Sequence, residues 1–252
     1  MDFITGNKFK RTCHYSYDEQ GFIKHTEPKD DEILRVFVKV DYIHNFFRQK
    51  QYRPYILFTH NGDLPIGGSY LKYLEDVNLI KWYGQNIMTS HPKLSSIPIG
   101  IANEIWPHGN ENIFNEVICE NNKKERLIYM NFDVNTNINE RNYCLEQLNN
   151  KGLFMNEKLP FKEYLREVSK SYFIISPNGN GIDCHKTWEA LYLGSIPIVT
   201  KSINIDFYKN LPILIINDWE SFDITIITKE LYKKIWGDFD NEKLILKKFI
   251  YE

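Results

Sequence analysis

The chain has 252 residues, of which 42% are hydrophobic and 25% charged, with a formal net charge of −2. That length buries a substantial core, as one large α/β domain or two small ones, and the composition excludes both an intrinsically disordered chain and a nonspecific nucleic-acid binder. Cys13, Cys119, Cys144 and Cys184 are scattered without CxxC or zinc spacing, which reads as free thiols in a reducing, cytoplasmic setting. Asp2, Lys8, Lys10 and Arg11 leave no apolar core for a signal peptide, and no apolar run reaches transmembrane length.

Along the chain, the first 30 residues have mixed polarity and read as an irregular arm. Residues 33–40 then form an apolar strand and 42–49 an amphipathic helix. A second strand at 55–59 ends in His60-Asn61-Gly62-Asp63, a short helix covers 69–75, and 79–82 and 97–99 add two strands. This alternation predicts a small parallel-sheet domain. The stretch 106–124, punctuated by Pro107, Gly109 and repeated Asn, has no clear period, and the domain boundary is placed there, giving units 1–122 and 123–252. The strand and helix rhythm resumes with a strand at 127–132, helices at 140–148 and 161–169, strands at 172–175, 196–199 and 213–216, and a helix at 229–236. The fold class is therefore α/β, two Rossmann-like units facing across a cleft, with terminal helices crossing back to brace the first.

The passage 172–199, YFIISPNGNGIDCHKTWEALYLGSIPIV, concentrates polar groups at the carboxyl end of a strand, where α/β proteins bind ligands. Pro177-Asn178-Gly179-Asn180-Gly181 favours turns and positive φ, Asp183 can cap the helix that follows, and Gly194 can stop it. Turn amides and a helix start favour an anion, and Lys186 adds a mobile positive charge, so a diphosphate is the natural guest. The passage matches neither GxxxxGK[ST] nor GxGxxG, which removes motif support for ATP hydrolysis and hydride transfer. Glu189 can pair with His185 or Lys186, or take two ribose hydroxyls. His185 reads as a donor to phosphate or sugar rather than a metal ligand, since no third ligand has suitable spacing. Trp188, Leu191 and Tyr192 read as core contacts, and Cys184 lacks the partners of a thiol nucleophile.

Residues 176–199, SPNGNGIDCHKTWEALYLGSIPIV, resemble the donor-binding region of exostosin-like glycosyltransferases, including compact microbial and viral members. Weaker similarity reaches residues 127–132 and Arg141. The resemblance implies a GT-B enzyme, with a nucleotide sugar held by the second unit and an acceptor by the first. Carried over by position, Ser176, Asn180, Gly181 and Asp183 shape the diphosphate and sugar end, Lys186 supplies the positive contact, Glu189 the ribose contact and Arg141 a further phosphate contact. Exostosin-like sequences carry Arg where this chain has Lys186, which exchanges a rigid fork for a point charge.

Transfer from a nucleotide sugar needs positive charge or dipoles at the departing diphosphate and a base at the acceptor hydroxyl. The expected reaction is a metal-independent, inverting displacement from a UDP-sugar, with a GDP-sugar as the alternative, onto a glycan hydroxyl. Asp63 is the first candidate base and His60 the second, with Asp41 and His91 open. A non-catalytic carbohydrate-binding protein and a phosphate-binding regulatory domain are the competing readings. The expected partners are a nucleotide sugar and a glycan acceptor, with no nucleic acid and no tightly bound cofactor.

Overall fold

The computed structural model describes residues 1–241 and 244–249. The fold is α/β and has two sheets of predominantly parallel strands. The first sheet contains β1 (Tyr15–Asp18), β2 (Gly21–Lys24), β3 (Leu34–Lys39), β4 (Tyr55–His60), β5 (Leu79–Gly84) and β6 (Leu94–Ser96), in the order β2-β1-β3-β4-β5-β6. All neighbours are parallel except the β1/β2 hairpin, which turns at Gly21 with φ 82°. In the centre, the registers Val36↔Leu57 and Val38↔Thr59 align buried β3 and β4 side chains, as expected of strands covered on both faces.

The amino-terminal segment is built into the fold, not an irregular arm. Thr5 caps α1 (Gly6–Arg11), and the hairpin extends the sheet through β1 pairing with β3. Strands of four residues, YSYD and GFIK, are too short to show a period, so their pairing comes from the longer neighbour. Upstream, Phe3 and Ile4 are fully buried. Helix α2 (Ile43–Phe47) and the 3-10 turn Gly68–Glu75 cover the sheet where helices are expected.

The second sheet holds β7 (Arg126–Tyr129), β8 (Ser171–Ile175), β9 (Ile196–Thr200) and β10 (Leu214–Ile216), all parallel in the order β10-β9-β8-β7. Its helices are α4 (Ile138–Asn150), α5 (Phe161–Ser169), α6 (His185–Tyr192), α7 (Ile203–Asp206) and α8 (Lys229–Trp236). Before them comes α3 (Glu111–Cys119), in the stretch that shows no period in sequence. Asn110 caps it, and Phe114 and Val117 join a core with Tyr164, Leu165 and Trp188. Glu120, just past its end, pairs with Arg166 of α5 at 2.7 Å. Helix α3 thus shares its apolar face with the second sheet's helices, whereas a boundary after residue 122 assigns it to the first unit.

One further difference shapes the site. The strand expected at 97–99 is displaced to Leu94–Ser96, because Pro98 has no amide to continue the ladder. Residues 97–101 leave the sheet and run to the other half: the Ile99 amide donates to the Asp183 carboxylate at 2.7 Å, and the Gly100 carbonyl accepts from His185 at 2.7 Å. Gly100 has φ +67°, and a Cβ there would collide with the Ile4 carbonyl. Asn204 adds a second bridge, its Oδ1 accepting from the Ile87 amide at 2.9 Å and the Ser96 hydroxyl at 2.8 Å. Near the carboxyl end, a 3-10 turn at Leu246–Phe249 places Leu246 among Phe37, Phe58 and Ile97 of the first sheet's core. No helix among the described residues is long and apolar enough to cross a membrane.

Candidate active site

Two cavities meet between the sheets. One, of about 680 Å³, is walled mainly by residues following β7 and β8, including Arg141, Asn180, Lys186 and Glu189. The other, of about 450 Å³, lies at the carboxyl ends of β1, β3 and β4 and includes Asp18, Lys39, His60 and Asn61. Asp63, Ile99, Trp106 and His185 line both.

The glycine turn is held from below. Arg141 Nε donates to the Asn178 carbonyl at 3.0 Å, Arg141 Nη1 to the Asp133 carbonyl at 2.6 Å, and Asn137 Nδ2 to the Gly179 carbonyl at 2.7 Å. Arg141 is therefore first a pillar of the turn, with two of its donor groups already engaged. Neither Gly179 nor Gly181 adopts positive φ. These glycines are needed for space: a Cβ on Gly179 would stand 3.1 Å from Arg141 Nη2, and one on Gly181 would stand 2.5 Å from Asn86 Nδ2. The Gly179 amide is spent within the turn on the Gly181 carbonyl at 3.0 Å, so it does not point at a ligand as the turn reading expects. Asn180 is exposed at the turn's tip and lines the larger cavity with Gly181.

Asp183 is not the cap of α6. The capping position is Cys184, which makes no side-chain cap bond, and the Asp183 carboxylate accepts from the Ile99 amide and, at 2.8 Å, from Trp188 Nε1. A buried carboxylate is better satisfied by these two otherwise orphaned donors than by the helix end. Burial raises its pKa to about 7, against the lowering effect of hydrogen bonds from Ile99, Trp188 and the Cys184 backbone. The Asp183 amide donates to Asn86 Oδ1 at 2.9 Å, while Asn86 Nδ2 donates to the Asp63 carbonyl at 3.3 Å. Asn86, at φ 58°, thereby links the loop bearing Asp63 to the glycine passage. Ser176 lines neither cavity: it is buried at the end of β8, its hydroxyl 3.0 Å from that of Thr187, so a role at the diphosphate does not follow from its place. Cys184 is equally indisposed to act as a nucleophile, since burial pushes its thiol up to about 11.

Lys186 and Glu189 are joined through Tyr164, a residue the sequence reading passes over. Lys186 Nζ donates to the Tyr164 hydroxyl at 2.8 Å and stands 4.4 Å from its ring centroid, and that hydroxyl donates to Glu189 Oε2 at 2.8 Å. Burial, with the Glu189 charge, holds the Tyr164 hydroxyl well above its ordinary value, so it stays a donor. Burial lowers Lys186 to about 8, against the raising effect of Glu189, which leaves it mostly cationic at neutral pH. Tyr164 sits at an apolar position of α5, where its spacing signals only core.

The two candidate bases fare differently. His60 is buried, Nδ1 accepting from the Asn61 amide at 2.7 Å and Nε2 donating to the Pro98 carbonyl at 3.1 Å. With both nitrogens occupied it has no lone pair for a substrate, which corrects its reading as a base. Asp63 is exposed where the two cavities meet, whereas Asp41 and His91 line neither. His185 Nδ1 is 2.7 Å from the Gly100 carbonyl, which only accepts, so the proton lies on Nδ1 and the lone pair on Nε2. The neutral ring thus offers a ligand an acceptor rather than the expected donor. Burial lowers its pKa and favours this neutral form. Among the described residues, no group of three or more His, Cys, Asp or Glu is arranged to hold a metal ion.

The buried His60 makes a measurable prediction. Burial lowers its pKa from 6.5 to about 4, so between these values the unfolded chain binds a proton that the folded chain refuses. Its contribution is present above pH 6.5 and is lost as pH falls through 4, by about 3 kcal/mol across the window. Asp183, with a raised pKa, acts oppositely, losing stability as pH rises from 3.8 through about 7. Urea unfolding at intervals from pH 7 to 4 should show a shallower acid decline in His60→Gln than in the wild type. Parallel curves would remove the assignment.

The model of the family described as the RXYLT1 C-terminal domain matches residues 112–237, half of the chain. The chain belongs to this exostosin-related glycosyltransferase family. No curated protein shows significant similarity to it. The matched RXYLT1-type region begins in α3 and runs through α8, and so contains the glycine passage, Arg141 and the Lys186–Tyr164–Glu189 chain. Asp63, His60 and Asn86 lie outside it.

Proposed function

We propose that the protein transfers a sugar from a nucleotide-diphosphate sugar, a UDP-sugar in preference to a GDP-sugar, to a glycan hydroxyl by a single, inverting displacement that needs no metal. The observation that carries this reading is the pair of cavities joined at Asp63 and His185, with Lys186 on the larger one and the first sheet's polar strand ends on the smaller. The diphosphate and sugar take the larger cavity and the acceptor the smaller. Asp63 receives the proton of the attacking hydroxyl. The acceptor oxygen bonds to the anomeric carbon, the bond from that carbon to the diphosphate oxygen breaks, and the electron pair departs with the diphosphate facing Lys186. Glu189, six percent exposed and already accepting from Tyr164, has Oε1 left for ribose. Four unpaired cysteines support a reducing, cytoplasmic setting.

Thermal melting with a panel of UDP- and GDP-sugars, with and without EDTA, tests the donor half. One sugar nucleotide should raise Tm at concentrations well above its Kd, and EDTA should leave that shift in place. A panel without any shift would reject the donor assignment, and abolition by EDTA would reject metal independence.

A further inference from the structure

The junction of the two cavities holds two proton acceptors, and a single attacking hydroxyl can satisfy only one of them. Asp63 and His185 are the titratable residues lining both cavities. Asp63, taken as the base, uses the one proton of the nucleophile. His185 is committed differently: Nδ1–H is held by the Gly100 carbonyl at 2.7 Å, so the lone pair left to the cavities is on Nε2, for which no protein donor is found among the described residues. An imidazole half-withdrawn from water with an unpaired acceptor needs a donor from the ligand. His108, its ring centroid 6.5 Å away, forms an aromatic contact rather than a hydrogen bond.

Resting on the glycosyltransferase reading above, we infer that His185 selects an acceptor with two neighbouring free hydroxyls, a vicinal diol, by taking a hydrogen bond from the hydroxyl beside the one that attacks. The placement follows from the fold. The 97–101 segment, turned out of the first sheet by Pro98, fixes the ring through Gly100, while α6 supplies the residue from the second sheet. His185 and Asp63 face the same junction, and the Asp63 charge acts on the His185 ring. The attacking hydroxyl goes to the carboxylate and its neighbour to Nε2. Such a site rejects an acceptor lacking the second hydroxyl, because a desolvated acceptor atom is then left unpaired.

The test uses the full chain, the sugar nucleotide identified by melting, and a panel of methyl hexopyranosides with their monodeoxy counterparts. His185→Asn keeps an amide donor for the Gly100 carbonyl and lacks the Nε2 acceptor; His185→Gln places an acceptor near the Nε2 position. For the wild type, removing the hydroxyl beside the attacking one should lower kcat/KM by about 10²-fold. In His185→Asn the same removal should cost less than about threefold, with His185→Gln recovering part of the discrimination. Equal discrimination in the wild type and His185→Asn overturns the assignment, as does a sensitivity that follows deoxygenation of the donor sugar instead. No transfer to any member of the panel by the wild type counts against the glycosyltransferase reading itself, and the inference falls with it.

Discussion

Replacing Asp63 with Asn should lower kcat by about 10³-fold while changing the Kd for the sugar nucleotide by less than about twofold. Asn keeps the shape of the side chain and its ability to accept a hydrogen bond but loses the basic carboxylate. The main chain at this position is held independently by Asn86, so the loop should keep its course. Steady-state kinetics with calorimetric titration of the donor would separate the two quantities. Turnover within about threefold of wild type would remove Asp63 as the base.

The second large effect falls on the donor. Lys186→Met should weaken nucleoside diphosphate binding by about 10²-fold, because it removes a cation from a largely desolvated wall and leaves Glu189 to face the incoming phosphates with only Tyr164 beside it. Calorimetry with UDP and GDP reads this directly. The Lys186 pKa of about 8 adds a dependence on pH. Affinity in the wild type should decline as pH rises through 8 and the ammonium loses its charge, whereas Lys186→Arg, the residue that exostosin-like sequences carry here, should hold its affinity over the same range. An affinity unchanged in Lys186→Met would separate this lysine from the diphosphate.

Much of the second sheet is legible from the residues alone. Phe161–Ser169 and Lys229–Trp236 are helices at the expected bounds, because each presents apolar residues on one face and follows a helix-start residue, Pro160 or Thr228. Gly194, at φ +75°, stops α6 as its position suggests. The first 30 residues and α3 are less legible, since YSYD acquires strand structure from pairing with β3 and α3 acquires its partner from α5, both distant in sequence. At the site, the glycine passage announces a ligand, but the work of its members does not follow from their order. Asp183 looks like a cap until Ile99 and Trp188 claim it, and Tyr164 looks like core until Lys186 and Glu189 reach its hydroxyl. Asn86 could have been noticed by the rule that singles out residues 60–63, for it too follows an apolar strand at its carboxyl end.

The Pro98 segment has a mechanical consequence. Ile99 and Gly100 are attached to the start of α6, and Asn86 ties the Asp63 loop to the same place. A hinge that separated the sheets at this edge would have to break several buried hydrogen bonds at once. On the proposed function, the spacing between sugar and attacker is inherited from folding, with its entropy paid before either substrate arrives.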